Sequence, residues 1–156
     1  MKNIALTTMA VGAAIAATFP ASAENTDTSA IQDVLSTYET ALNSQDTDTI
    51  VSLYADDGVF MPQHSLPQVG RNSIRAAYEG VFTAITLDIE FEVDEIALLS
   101  KDWAFARTRS EGTVRINATG DTGPEAKQEL FLLQRNGAGH WKIARYIFST
   151  TNPPRG

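Results

Sequence analysis

The chain has 156 residues, 43% of them hydrophobic, with no cysteine and a formal net charge of −7 at pH 7. That length suits a single core and leaves little room for a second domain. The acidic balance lacks the basic footprint that a nucleic-acid partner requires, and the missing thiols exclude cysteine nucleophiles and iron–sulfur ligation.

Lys2, the Ala-rich apolar stretch from Ile4 to Phe19 and the small-residue triplet Ala21-Ser22-Ala23 read as a signal peptide over 1–23, cleaved after Ala23. An uncleaved anchor is the other reading of the same stretch, although it is short for a membrane span. The mature domain is then 24–156, one unit more acidic than the full chain, and periplasmic or secreted. No later run is apolar enough to span a bilayer, so no membrane association is expected after cleavage. Export without disulfides fits a bacterial protein whose core is stable by itself.

Glu24 to Thr28 is polar and expected to fray. Ser29 with Gln32 makes a capping box, after which Ile31, Val34, Leu35, Tyr38, Ala41 and Leu42 recur at helical spacing. Asp46 can cap a short second helix with Ile50, Leu53 and Tyr54 as its buried stripe. Val59-Phe60-Met61 is a short strand stopped by Pro62, and a third helix from about Arg71 presents Ile74, Ala77, Tyr78, Val81 and Phe82 on one face. From Leu87 the period becomes two, with a slip at Glu95-Ile96 that indicates a bulge. Long strands follow from Trp103 to about Ile116, from Ala126 to Arg135 and from Trp141 to Thr150, the last two joined by the hairpin turn Asn136-Gly137-Ala138-Gly139. Helices followed by an antiparallel meander predict an α+β domain.

The runs Leu53 to Pro62 (LYADDGVFMP), Gly70 to Arg75 (GRNSIR), Glu129 to Leu133 (ELFLL) and Trp141 to Tyr146 (WKIARY) resemble the superfamily of nuclear transport factor 2, the bacterial ketosteroid isomerases and the SnoaL-like polyketide cyclases. Within it the chain looks most like the small YybH-type branch, also labelled SgcJ/EcaC-like. The resemblance spans Ile31 to Phe148. It implies a cone-shaped fold, three helices on a curved antiparallel sheet, with a pocket at the open end, and frequent dimers. That fold hosts enzymes, binding modules and adaptors alike.

In the ketosteroid isomerases a tyrosine and a protonated carboxylic acid donate hydrogen bonds to a developing oxyanion while an aspartate moves the proton; a carboxylic acid kept neutral by its apolar site is a documented device of that enzyme. By resemblance Tyr38 takes the tyrosine position and Glu129 that of the acid. The base position falls at Met61 or Pro62, neither of which accepts a proton. His64 is a candidate replacement, since imidazoles change charge near neutrality, or it is a solvated loop residue. Tyr38 and Tyr54 lie on helical stripes and read equally as core tyrosines with satisfied hydroxyls.

Glu129 shares a strand face with Phe131 and Leu133, where a carboxylate needs a hydrogen bond, a partner or neutralisation. Arg107 or Arg109 on the preceding strand can supply an ion pair. Trp103, Phe105, Arg107 and Arg109 share one face and either line the pocket or, for the arginines, pair with Glu90, Glu92 or Asp94 on an exposed surface. Tyr54, Met61, Tyr78, Phe105, Arg107, Tyr146 and Phe148 are thus the candidate ligand-binding set, and Tyr38, Glu129 and His64 the candidate catalytic set. In the last strand Trp141, Ile143 and Ile147 alternate with Ala144, Tyr146 and Phe148; the second set is expected beside Glu129, and the first then needs cover from a homodimer partner. Two distant histidines without thiolates make a poor zinc site, and neither metal nor organic cofactor is expected. The sequence predicts a small-ligand pocket, serving either a cofactor-independent isomerase, cyclase or lyase of a small hydrophobic carbonyl compound, or a non-catalytic binding or adaptor domain.

Overall fold

A computed structural model describes residues 21–153, so the expected leader lies outside them except for its last three positions. Three helices, α1 (Ala21–Asn43), α2 (Thr47–Leu53) and α3 (Gly70–Ala84), accompany six strands: β1 (Tyr54–Met61), β2 (Gln68–Val69), β3 (Ile85–Leu98), β4 (Trp103–Ile116), β5 (Thr122–Arg135) and β6 (Trp141–Thr150). The strands form one sheet in the order β2-β1-β6-β5-β4-β3. The α+β architecture is the expected one. The sheet is mixed rather than wholly antiparallel, because β1 runs parallel to β6.

The apolar stripe of α1 is buried as its spacing dictates, with Ile31, Leu35, Tyr38 and Leu42 packed in the core. The helix extends through Glu24 to Thr28, where fraying was expected, so Ser29 is internal rather than a cap. Asp27 ties this first stretch down: its carboxylate meets the Arg135 guanidinium at 2.5 Å and accepts from Trp141 Nε1 at 3.3 Å. Asp46 caps α2 by accepting from the Thr49 amide at 3.0 Å and the Thr49 hydroxyl at 2.7 Å.

At the sheet edge, β3 presents backbone groups that need partners. Side chains of α1 supply them: Asn43 accepts from the Ile89 amide and donates to the Ile89 carbonyl, and Glu39 accepts from the Phe91 amide. The helix and the edge strand are thereby clamped. Opposite Ile89, Gly112 leaves room for close approach, since a Cβ there would stand 2.1 Å from the Asp88 carbonyl oxygen.

Two irregularities decide which residues face the helices. The expected slip in β3 is present between Val93 and Glu95. A second lies in β6, where Leu132 pairs with Arg145 but Leu133 pairs with Ile143, leaving Ala144 as an extra residue. Trp141 and Ile143 therefore share the inner face with Tyr146 and Phe148, and both are buried within one chain. The expectation that Trp141 and Ile143 need a partner's cover is corrected accordingly; of that set, Ile147 alone is turned outward, 45% exposed.

Candidate active site

On β4 the inner face carries the small residues Ala104, Ala106, Thr108 and Ser110, all buried, because the rings of α1, β5 and β6 already fill the space above them. Trp103, Phe105, Arg107 and Arg109 face the other way. Arg107 meets Asp94 at 2.7 Å and Glu95 at 3.5 Å, and Arg109 meets Asp94 at 3.1 Å and Glu92 at 2.9 Å. The bond from the Arg109 side chain and the neighbouring guanidinium charges hold the Asp94 carboxyl below its ordinary range. Phe105 and Arg107 thus lie on the outer face and are corrected from the wall of the inner cavity; Arg107 instead lines a separate cavity of about 440 Å³ with Arg109, Leu130 and Ile147.

The inner face borders a cavity of about 590 Å³. Its apolar wall is built from Leu42 of α1, Phe60 of β1, Val81 of α3, Leu87 and Ile89 of β3, and Phe148 of β6. At one end stand exposed groups, His64 and Pro124 among them, which mark the mouth. His64 adopts a left-handed backbone conformation, φ 61°, and its ring lies 3.3 Å from the Gln63 amide nitrogen. Lys127 stands near the same end, 3.9 Å from Glu125 and 5.0 Å above the Phe148 ring.

At the other end the chain gathers all four of its tyrosines. The Tyr78 hydroxyl is the hub, 2.6 Å from that of Tyr38 and 3.0 Å from that of Tyr54. Tyr146 interacts with Tyr38 and feels the charge of Glu129. Phe131 stacks on Tyr146 at 4.2 Å and Phe60 on Tyr78 at 4.8 Å, so the rings are locked by neighbours rather than by solvent. Burial holds all four phenols well above their ordinary pKa, which keeps them protonated and able to donate. Tyr38, Tyr78 and Tyr146 border the cavity, whereas Tyr54 sits behind them as the first residue of β1 and supports Tyr78. Tyr54 is accordingly a member of the hydroxyl chain and not part of the wall.

Glu129 faces the same cavity and is 4% exposed. Its Oε1 accepts from Ser110 Oγ at 2.6 Å, and its Oε2 accepts from Thr108 Oγ1. Neither arginine reaches it from the outer face. Burial raises the carboxyl's pKa, and the two hydroxyl donors and the charge of Lys127 act in the opposite direction. Thr108 and Ser110 escaped the sequence reading. The usable signal was pairing parity: Thr108 stands directly across from Glu129, so both must share a face.

At the expected position of the base, Pro62 borders the cavity. Met61 pairs with Ile147 in register, on the outer face with it, and is corrected from the ligand-binding set. Among the described residues, no group of three or more His, Cys, Asp or Glu side chains is placed to hold a metal ion. No described helix is long and apolar enough to cross a membrane.

A SnoaL-like domain matches residues 34–144, and the chain belongs to that family. It is similar to the crystal structure of a ketosteroid isomerase-like protein from Erwinia carotovora atroseptica SCRI1043, with 38% identity over 80% of this chain and 96% of the other, at a TM-score of 0.78. A conserved protein from Planctomyces limnophilus DSM 3776 shares 24% identity over 81% of this chain and 98% of its own, at 0.71. A type 2 hexachlorocyclohexane dehydrochlorinase shares the fold at 0.76 with 12% identity, over 85% of this chain and 90% of its own. No curated protein matches significantly. The fold is that of the ketosteroid isomerase and nuclear transport factor 2 group.

Proposed function

We propose that the protein is an exported, cofactor-independent isomerase, cyclase or lyase of a small hydrophobic carbonyl compound, from the YybH-type branch of its family. The observation that carries this reading is the chain of phenols from Tyr54 through Tyr78 to Tyr38, ending in an apolar cavity that also holds a buried carboxyl group. If Tyr54 donates to Tyr78 and Tyr78 to Tyr38, the Tyr38 proton is left for Tyr146 or for a ligand oxygen that takes its place. Preorganised donors of this kind favour the charge that develops on a carbonyl oxygen during enolisation.

2-Naphthol, the phenolic counterpart of the enol of 2-tetralone, tests the donor set. Its binding to the mature protein, followed by fluorescence, is expected to weaken about tenfold in Tyr38→Phe, since one hydrogen bond is lost. Unchanged affinity removes Tyr38 from the site.

Pro62 at the base position favours a second reading, a pocket that binds a small apolar ligand without turning it over. Solvent exchange at carbon next to a carbonyl separates the two. A homodimer is also proposed, with Leu130 and Ile147, each nearly half exposed on the outer face, as the surface a second copy covers. Light scattering on the purified protein tests it, and a mass beginning at Glu24 in an extracytoplasmic fraction tests export.

A further inference from the structure

Resting on the enzymatic reading above, a question of roles arises at Glu129. An oxyanion donor must keep its proton throughout the working pH range, whereas a general base must lose it. The surroundings of Glu129 distinguish these. Each carboxyl oxygen receives a hydroxyl from β4, Thr108 on one and Ser110 on the other; both side chains are buried, Thr108 directly across the strand pair and Ser110 on the diagonal, opposite Lys127. Two donors aimed at two oxygens complement a carboxylate, and each oxygen keeps a further lone pair for the cavity it borders. The remaining charged and titratable groups around that space are Lys127 and Glu125 on β5, Tyr146 on β6, Tyr38 on α1, Tyr78 on α3, and His64 on the loop after β1. Lys127 is the cation that acts on Glu129, and it too favours the anion. Against them stands burial, the largest influence, which favours the neutral acid and raises the group's pKa; the hydroxyls and Lys127 oppose that rise.

The opposite end of the cavity completes the requirement. Phe131 lies one side-chain repeat from Glu129 on the same strand face, about 7 Å along the strand. Its ring is 5.6 Å from that of Tyr38, and Tyr146 interacts with both Tyr38 and Glu129. One small substrate can therefore meet the phenols with its oxygen and Glu129 with a neighbouring carbon.

We propose that Glu129, held by Thr108 and Ser110, is the general base of this site and replaces the base missing at Met61 and Pro62. A carboxylate oxygen of Glu129 takes the proton from the carbon next to the substrate carbonyl. The C–H pair becomes the new C=C bond, and the carbonyl π pair moves to oxygen, where the Tyr38 hydroxyl receives it. Return of the same proton to another carbon of the same molecule yields an isomer and regenerates the carboxylate. No co-reactant is consumed. Thr108 and Ser110 are positioning residues, since they act through Glu129.

The test uses 2-tetralone in D₂O, with deuterium entry at C1 followed by NMR, and 2-naphthol binding in parallel. Wild-type exchange should rise with pH as Glu129 ionises. Glu129→Gln should lower it by about 10² to 10⁴, the usual contribution of a fixed base, with 2-naphthol affinity kept within a few-fold. Thr108→Val, which removes one donor to the anion, should move the rising limb of the pH profile to higher pH. Exchange that survives in Glu129→Gln, or that falls as pH rises, overturns the assignment. 2-Naphthol binding by the wild type without any exchange overturns both the assignment and the enzymatic reading, leaving a binding pocket. Affinity insensitive to Tyr38→Phe strikes the donor set alone.

Discussion

Strand β4 meets a carboxyl group from each neighbouring strand, Asp94 of β3 on its outer face and Glu129 of β5 on its inner face, and the protein treats them in opposite ways. Outside, Asp94 is paired with Arg107 and Arg109 and held below its ordinary range. Inside, Glu129 is surrounded by hydroxyls and rings and held above it. The outer arrangement favours a permanent charge near solvent; the inner one gives a buried carboxyl that holds its proton more tightly than a free one does. A guanidinium inside would have fixed Glu129 as an anion of little basicity, so the small neutral face of β4 suits proton transfer in a way its basic face does not.

The contrast can be broken most severely from the inside. Thr108→Val with Ser110→Ala leaves the buried carboxylate without donors and is expected to lower stability by about 3 kcal/mol or more at pH 8, with a smaller loss near pH 4. Urea unfolding at the two pH values measures the difference; equal losses would mean that the hydroxyls do not act on the charged form. Tyr78→Phe should cost about 1 to 3 kcal/mol, because the hub is lost and the hydroxyls of Tyr38 and Tyr54 are left without it.

A smaller effect concerns pH alone. The folded state binds the Glu129 proton more tightly than the unfolded chain does. Its contribution to stability is thus full below the ordinary carboxylate value and is lost as pH rises through the raised folded value. Glu129→Gln should flatten that limb. Asp94 has the opposite sign: its contribution is full above the ordinary carboxylate value and is lost as pH falls through the lowered one. Asp94→Asn should therefore flatten the acid limb, with a smaller drop in Tm at pH 7 than Tyr78→Phe because the pair is near solvent. If Asp94→Asn instead flattens the limb assigned to Glu129, the contrast between the faces fails.

Much of this was legible in the sequence, for physical reasons. Period-two alternation from Leu87 and helical spacing from Ile31 are properties of the chain itself, and they located the elements and the inward face of Glu129. The face of β4 was harder to read. Trp103 and Phe105 are large and apolar, and burial of large side chains is the usual rule, yet the inner space is taken by Tyr38, Phe131 and Tyr146 and admits only Ala104, Ala106, Thr108 and Ser110. That competition is between elements distant in sequence. The tyrosine hub was hidden for the same reason: Tyr78 stood in the ligand-binding set, but nothing in its helical spacing showed that its hydroxyl meets those of Tyr38 and Tyr54.

The extra residue at Ala144 has a consequence for how such a chain can change. Side-chain direction alternates along a strand, so loss of one residue there would restore strict alternation beyond it and send Tyr146 and Phe148 to the other face while Trp141 and Ile143 stayed in place. The cavity would lose an aromatic wall, and the outer surface would gain one beside Leu130. A lined cavity and an exposed aromatic surface are thus separated, in this chain, by a single codon.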